Sequence, residues 1–337
     1  MANAYGIDMG TGNLKIYSVP DKKIINVKNT IAIVDKDKMY AYGDEAYSMY
    51  EKAPESIQVS FPVVSGVISE FDNMQTMLLE VLEKKAKANM RGADICIAVP
   101  TDITEVEKKA FYDLCAKTKN RARSIKLCEK PLADAMGMDL DINEPTGIMV
   151  VDIGADTTEI SVISLGGMVL SELLPFGGNH LDESIVTYMK RKYNLLIGQK
   201  TAMSLKENIG GAYPGNTESM EIVGRDVVSG LPIEMKVTGD MVYEGMKSDL
   251  NNLCQNVKML LEKVPPELAK DVVYSGIYLT GGGAKLKELS DYFTEITNIK
   301  VNVYENGEET VVKGLGKVLT DDHYSRFGYA MKSRIFS

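Results

Sequence analysis

The sequence predicts an α/β protein built as two related lobes, and three observations carry that expectation. Strand and helix patterns alternate along 337 residues, as they do in layered α/β proteins, and the length has room for two domains or one large domain in two lobes. A hairpin pattern occurs twice: residues 148–164, IMVVDIGADTTEISVIS, and residues 5–19, YGIDMGTGNLKIYSV, each run apolar stretch, polar turn, apolar stretch. Asp8 matches Asp152, Gly10 matches Gly154 and Ile16 matches Ile160, in every case 144 residues apart (152 less 8). A third glycine cluster, Gly281 to Gly283, sits between a strand pattern and a helix pattern. A hairpin that recurs a domain-length apart points to two related lobes facing each other.

Taken in order, the first hairpin is followed over residues 24–43 by short apolar stretches and turns such as DKDK, which read as small strands. Residues 44–58 hold Pro54 and show little regular pattern. Residues 72–85 predict a helix, with Met74, Met77, Leu78, Val81 and Leu82 at helical spacing as a core stripe. Residues 95–99 read as a buried strand ending at Pro100. Residues 104–117 read as an amphipathic helix with Val106, Ala110, Leu114 and Cys115 on one face, and Thr104 followed by Glu107 is a capping-box pattern. Residues 125–128 form the next strand, and Pro131 opens a short helix at its first turn.

After the second hairpin the plan repeats. Helices are expected over 181–193, with Asp182 in the first turn, and over 201–209. Short strands are expected over 218–238, broken at Gly224 and at 230–232. A long helix over 243–264 is closed by Pro265 and Pro266. A strand over 276–280 runs into the glycine cluster, and residues 284–293 start a helix there.

Composition excludes several function classes. A net charge of −9 without a dense basic stripe excludes a general nucleic-acid binder. Cys96, Cys115, Cys128 and Cys254 are scattered in apolar stretches with no CxxC or Cys/His cluster, and read as buried, reduced thiols of a cytosolic protein. His180 and His323 have no nucleophile context, so Ser/His/Asp catalysis lacks support. No signal peptide is expected, since the N-terminus reads into the first strand almost at once, and no apolar run approaches the roughly 18 residues of a membrane-spanning helix.

Both hairpin turns have the parts for holding phosphate. Glycine lets a backbone approach an anion, and successive N–H groups form an anion-binding nest. An aspartate beside phosphate is repelled unless a hydrated divalent cation lies between them. Two such turns could clamp a Mg-nucleotide from both sides. Either turn alone reads equally as a plain β-turn with a solvated aspartate; the repeat and the third glycine cluster favour phosphate. A strand, glycine turn and helix at 276–293 fits a phosphate or nucleotide geometry, although a structural turn before a helix looks the same. Neither GxxxxGK[ST] nor a complete GxGxxG is present, which excludes P-loop and Rossmann readings on motif grounds.

DMGTGNLK at 8–15, DIGADTTE at 152–159 and LTGGGAK at 279–285 together resemble the two phosphate loops and the adenosine loop of the actin superfamily. Within it the chain is most similar to the MreB family of bacterial rod-shape actins. GVISEF at 66–71, VPTDITEVEKKAF at 99–111, YNLLIGQKTAMSLKENIG at 193–210 and LEKVPPEL at 261–268 extend the likeness over nearly the whole chain. The resemblance implies a two-lobed actin-like fold of duplicated ribonuclease H-like domains with small inserted subdomains. It implies ATP or ADP with Mg²⁺ in a cleft, and a homopolymer filament. The lobe I core is expected over 1–31, 65–144 and 314–337 with its insert at 32–64. The lobe II core is expected over 145–180 and 246–313 with its insert at 181–245.

Carried over position by position, Gly10, Thr11, Gly12 and Asn13 hold phosphate from one side, and Gly154, Ala155, Asp156 and Thr157 from the other. Asp8 and Asp152 position Mg²⁺ through water. Met203, Lys206 and Glu207 border the adenosine, with Gly282, Gly283, Ala284 and Lys285 opposite. Lys15 stands where actin itself has a phosphate-contacting lysine. The chain departs from the family pattern at several places. Ala155 and Asp156 replace two glycines, and Met203 replaces a glutamate. In Glu129, Lys130, Pro131 a lysine replaces the carboxylate that orients the attacking water; a charged lysine offers only donors, so ATP hydrolysis is expected to be slow. Strand alternation is expected to turn Glu129 away from the site. The loop AlaAsnMetArg at 88–91 is not the apolar membrane loop of many MreB proteins, and no amphipathic helix is expected before the first strand. The expected location is the cytoplasm or the inner face of the cell membrane, with the chain itself as partner and cell-wall synthesis or division proteins beside it. The rival readings are a non-polymerising adaptor, a small-molecule kinase of the same fold, and a DnaK-type folding ATPase.

Overall fold

The computed structural model describes residues 3–35, 38–118 and 121–331. The middle of the DKDK turn and both chain ends lie outside the described residues. The chain divides into two compact units: Met1–Thr146 with Ser161–Leu173 and Glu308–Ser337, and Gly147–Ile160 with Leu174–Gly307.

The first hairpin forms as expected. β1 (Ala4–Met9) pairs antiparallel with β2 (Asn13–Ser18), Ile7 opposite Ile16, and β2 pairs with β3 (Lys23–Lys28). A small sheet follows, ordered β5-β4-β6, from β4 (Ile31–Val34), β5 (Lys38–Tyr42) and β6 (Ile57–Ser60). Between β5 and β6 lies α1 (Asp44–Met49), within the stretch of little regular pattern; only Ala46 of this six-residue helix is buried, too little to show a period. The short pair β7 (Val63–Val64) and β8 (Val67–Ile68) leads into α2 (Phe71–Glu80). The helix ends in a π-helical turn at Val81–Lys85, and its whole predicted methionine–leucine stripe is buried.

β9 (Asp94–Val99) pairs parallel with β1. Then α3 (Glu105–Ala116) starts at Thr104, whose hydroxyl accepts from Glu107 N–H while the Glu107 carboxylate accepts from Thr104 N–H at 2.7 Å. Its buried face is Phe111, Leu114 and Cys115; Val106, assigned to that face from sequence, is 78% exposed. At about 100° per residue Val106 lies roughly 130° round the helix from that stripe. β10 (Ser124–Glu129) pairs parallel with β9, and α4 (Lys130–Gly137) begins directly at its end. The first sheet is therefore ordered β10-β9-β1-β2-β3. One continuous core joins Ile7, Leu14, Ile16, Ile95 and Ile97 to Met74, Met77, Phe111 and Leu114.

The second hairpin repeats the first. β11 (Ile148–Ile153), β12 (Thr158–Ser164) and β13 (Gly167–Leu174) are followed by α5 (Gly178–Tyr193), β14 (Leu195–Leu196) and α6 (Gln199–Ile209). Because α5 starts three residues before the expected boundary, Asp182 lies beyond its first turn. β15 (Ser219–Asp226) and β16 (Pro232–Thr238) pair antiparallel in unbroken register through Gly224, contrary to the expected break. Gly224 is instead a packing glycine: a Cβ there would meet Leu195 Cδ1 at 2.7 Å. α7 (Gly239–Leu261) is capped by Thr238, and α8 (Pro266–Ser275) begins at the proline pair. β17 (Ile277–Thr280) pairs parallel with β11. The glycine cluster leads only into one 3₁₀ turn, Gly283–Lys285, and α9 (Leu289–Thr297) starts later, before β18 (Val301–Val303). The expected helix at 284–293 is thus corrected: Leu286 has extended ψ and Glu288 takes φ +62°, so a helix cannot run on from the glycines.

The second sheet is ordered β13-β12-β11-β17-β18. Strand for strand this is the order of the first sheet, with the hairpin on one side of the leading strand and two parallel strands on the other. The 144-residue repeat is therefore a repeat of topology.

In the first unit α10 (Thr310–Thr320) packs on α4 at backbone contact. Any Cβ on Gly137 would overlap the Thr310 carbonyl, and any on Gly314 would overlap that of Ala133. Thr310 Oγ1 donates to the buried Asp134 carboxylate at 2.5 Å. Leu315 of α10 meets Gly6 of β1, and Gly316 lies on the Tyr17 ring. These contacts fix α4, and with it the junction at Glu129 and Lys130, against the strand that carries Asp8.

Candidate functional site

In the first unit, β1 delivers a buried Asp8 to the mouth of the Gly10–Asn13 turn. Gly10 N–H donates to Asn13 O at 3.0 Å, which closes the turn. Lys15 lies opposite Asp8 in the hairpin register, and its Nζ is 3.5 Å from Asp8 Oδ2 with both side chains largely buried. Thr11 Oγ1 accepts from Gly66 N–H at 3.4 Å. Glu129 and Lys130 are not successive strand residues: Glu129 ends β10 and stands at the helix N-cap position, and Lys130 is the first residue of α4. The expected strand alternation therefore does not govern where their side chains point.

The second unit repeats the turn. Gly154 N–H donates to Thr157 O at 2.8 Å, the counterpart of Gly10 to Asn13. Two peptide donors at the start of α5 hold its carbonyls: Gly178 N–H to Gly154 O at 3.0 Å and Asn179 N–H to Ala155 O at 2.8 Å. Peptides are planar and trans, so a carbonyl held on one edge sends the next N–H out from the other. The amides of Ala155 and Asp156 consequently point away from α5. Asn179 Nδ2 donates to Asp156 Oδ1 at 2.7 Å, which draws that carboxylate toward α5, where the helix dipole favours negative charge. Gly177 gives the close approach its room, since a Cβ there would sit 2.5 Å from Ala155 O. Sequence reasoning missed Gly177, Gly178 and Asn179; the signal was Gly-Gly-Asn directly before an amphipathic helix.

The residues assigned to adenosine lie on two neighbouring segments. Met203, Lys206 and Glu207 are on α6, with Glu207 exposed. Beyond α6, Ala212 N–H donates to Lys287 O at 3.0 Å, which ties that helix end to the loop bearing Gly282, Gly283, Ala284 and Lys285. Gly281, at φ +85°, presses against Asp152 Oδ1 and Ile153 O, so the loop is seated on the end of β11. Asp152 is buried there.

Lys206 also ties α6 to α5. Its Nζ is 2.8 Å from Asp182 Oδ1 and donates to Gly178 O at 2.7 Å, directly behind the second turn. Burial pushes the Asp182 carboxyl up to about 6, against the opposing pull of the Lys206 ammonium, with Glu207 and Glu183 adding to the rise. All four cysteines are free and buried, as expected, and burial raises each thiol above its ordinary range.

No helix among the described residues is long and apolar enough to cross a membrane. In the loop at 88–91, Met90 is buried and Ala88 packs on the core of the first unit. No group of three or more His, Cys, Asp or Glu side chains forms a ready metal site among the described residues.

Two sheets of one strand order, each carrying an Asp–Gly hairpin turn at the end of its leading strand, define an actin-type fold. Solved structures agree. MreB 5 of Spiroplasma citri, in a crystal structure bound to AMPPNP, matches with a TM-score of 0.89 at 31% identity over 94% of this chain and 95% of that one. A MamK double helical filament matches at 0.77 and 21% identity, a likeness of fold alone. The model of the MreB/Mbl protein family matches residues 2–326, and the chain belongs to that family. Among relatives, the cell shape-determining protein Mbl of Bacillus cereus is 37% identical over 94% of this chain and 96% of its own length. The cell shape-determining protein MreB of Escherichia coli is 36% identical, with 94% and 93% covered.

The Asp182–Lys206 pair makes the first prediction. The folded protein binds the Asp182 proton more tightly than the unfolded chain does, so its contribution to stability is largest below the ordinary value of 3.8 and is lost as pH rises through about 6. Carboxyl NMR of the Asp182 side chain should titrate near 6, and Lys206→Met should move the midpoint upward. A midpoint at the ordinary value contradicts the burial argument.

Proposed function

We propose that this chain is an actin-like cell-shape protein that binds ATP or ADP with Mg²⁺, assembles head to tail into filaments, and hydrolyses ATP slowly. The observation that carries the nucleotide part is the matched pair of turns, closed by Gly10 to Asn13 and Gly154 to Thr157 at equivalent places in two sheets of one order. The Spiroplasma relative bound to AMPPNP supports it, as does a second structure of that protein bound to ADP.

In this reading Gly10, Thr11, Gly12 and Asn13, with Lys15, hold phosphate in the first unit. Gly154, Ala155, Asp156 and Thr157 hold it in the second. A turn that works through its amides tolerates Ala155 and Asp156 in place of glycines, because the Asp156 carboxylate is engaged by Asn179. Met203, Lys206, Glu207 and Gly282 to Lys285 border the adenosine. Asp8 and Asp152 are buried carboxylates at strand ends, the oxygen chemistry a hydrated Mg²⁺ takes, and would hold it through water. Bound there, the cation would supply charge neutralisation to the phosphates. Asp152→Ala should weaken nucleotide binding and abolish its Mg²⁺ dependence in calorimetry; unchanged affinity and Mg²⁺ response contradict this assignment.

Self-assembly is supported by membership of a cell-shape family and requires a head-to-tail contact that does not close into a ring. Light scattering with ATP and Mg²⁺ should rise above a threshold protein concentration. A flat signal at all concentrations favours the non-polymerising adaptor.

Slow hydrolysis rests on Lys130. Phosphoryl transfer depends on positioning and charge stabilisation, and the attacking water needs an acceptor. Lys130, the first residue of α4, offers donors only. Lys130→Glu should therefore raise phosphate release. A wild type as fast as an MreB ATPase assayed beside it, or a variant with no gain in rate, contradicts the impaired site.

A further inference from the structure

Asn29 follows β3 directly and is fully buried. Its backbone N–H donates to Gly12 O at 3.1 Å, and its side-chain Nδ2 donates to Gly10 O at 2.8 Å. One residue thus holds two carbonyls of the four-residue turn from one side. By planarity of the trans peptide, the Gly10–Thr11 unit sends Thr11 N–H away from Asn29, and the Gly12–Asn13 unit does the same with Asn13 N–H. The Gly10 N–H is occupied by Asn13 O, so it cannot swing out to compete. Two neighbouring amides turned to one side are the elements of an anion-binding nest.

The second turn is held in the same way by different means. There Gly178 and Asn179, after β13, supply two backbone donors to Gly154 O and Ala155 O. In both sheets the donors come from the segment just after the third strand of the hairpin layer. In the first sheet one of the two is a side chain, and it can be changed without moving the backbone.

Packing alone does not account for this residue. Asn29 Oδ1 is buried and has no hydrogen-bond partner among the described residues, so the side chain carries the cost of an unfilled acceptor in return for a single donated bond. An apolar side chain of similar volume fills the same space without that cost.

We infer that Asn29 is a positioning residue for phosphate: it pre-orients the Thr11 and Asn13 amides by holding the carbonyls of Gly10 and Gly12. The inference rests on the nucleotide reading above. It is tested with the full chain, wild type and two variants, Asn29→Leu and the near-isosteric Asn29→Asp, each titrated by calorimetry with ATP plus Mg²⁺ and with adenosine. The backbone donor to Gly12 O survives in both variants, and only the Nδ2 bond to Gly10 O is removed. Loss of that bond should lower ATP affinity about fivefold in Asn29→Leu. The fall should be larger in Asn29→Asp, where a carboxylate faces the Gly10 carbonyl. Adenosine affinity should stay at the wild-type value in both, a separation that general loosening of the fold does not produce. If Asn29→Leu does not fold, Asn29→Asp alone decides. A wild type that binds no ATP overturns the nucleotide reading and this inference with it. A wild type that binds, with variants that match it or that lose ATP and adenosine equally, overturns the inference alone.

Discussion

The site depends on one small constraint made twice: a glycine amide bonded across a four-residue turn while the turn's carbonyls are held from behind. Gly10 to Asn13 and Gly154 to Thr157 are the same bond at the same place in two sheets of the same order. Each peptide presents one donor and one acceptor on opposite edges, so capturing the acceptors decides where the donors go. What surrounds the turns follows from this need. Asn29 in the first unit, and Gly178 with Asn179 in the second, capture carbonyls. Gly177 clears space for the second capture, and Gly281 seats the neighbouring loop on Asp152 and Ile153.

The charges around these turns are arranged by burial. Lys15 beside Asp8, and Lys206 beside Asp182, are ion pairs with little solvent on either partner. Removing one member of such a pair leaves the other buried without compensation and is costly, whereas the intact pair adds little net stability because both charges give up water; what it fixes is local geometry. Lys206 shows how the two roles join: the ammonium that neutralises Asp182 also donates to Gly178 O, whose own residue holds the turn.

Much of this was legible in the sequence. The 144-residue spacing of Asp8 and Asp152 read the hairpins correctly because strand period and turn chemistry are local. The stripe Met74 to Leu82 read its helix because five buried positions give a clear period. The failures have physical reasons as well. Helix α1 buries one residue and shows no period. Gly224 looked like a break because its role is to admit Leu195, a contact from another strand. The helix expected after the glycine cluster is displaced by backbone angles at Leu286 and Glu288 that no residue type there demands. A single asparagine after a strand is ordinary in sequence; the meaning of Asn29 lies in two bonds to a turn far back in the chain.

The central claim is that phosphate is held by backbone amides turned outward in both hairpins. The most direct measurement is backbone amide NMR of the full chain, assigned at Thr11, Asn13, Ala155 and Asp156, during titration with Mg²⁺ and a non-hydrolysable ATP analogue. The account predicts that these four amides shift downfield together and saturate with the same affinity. Saturable binding that leaves all four unmoved would contradict it.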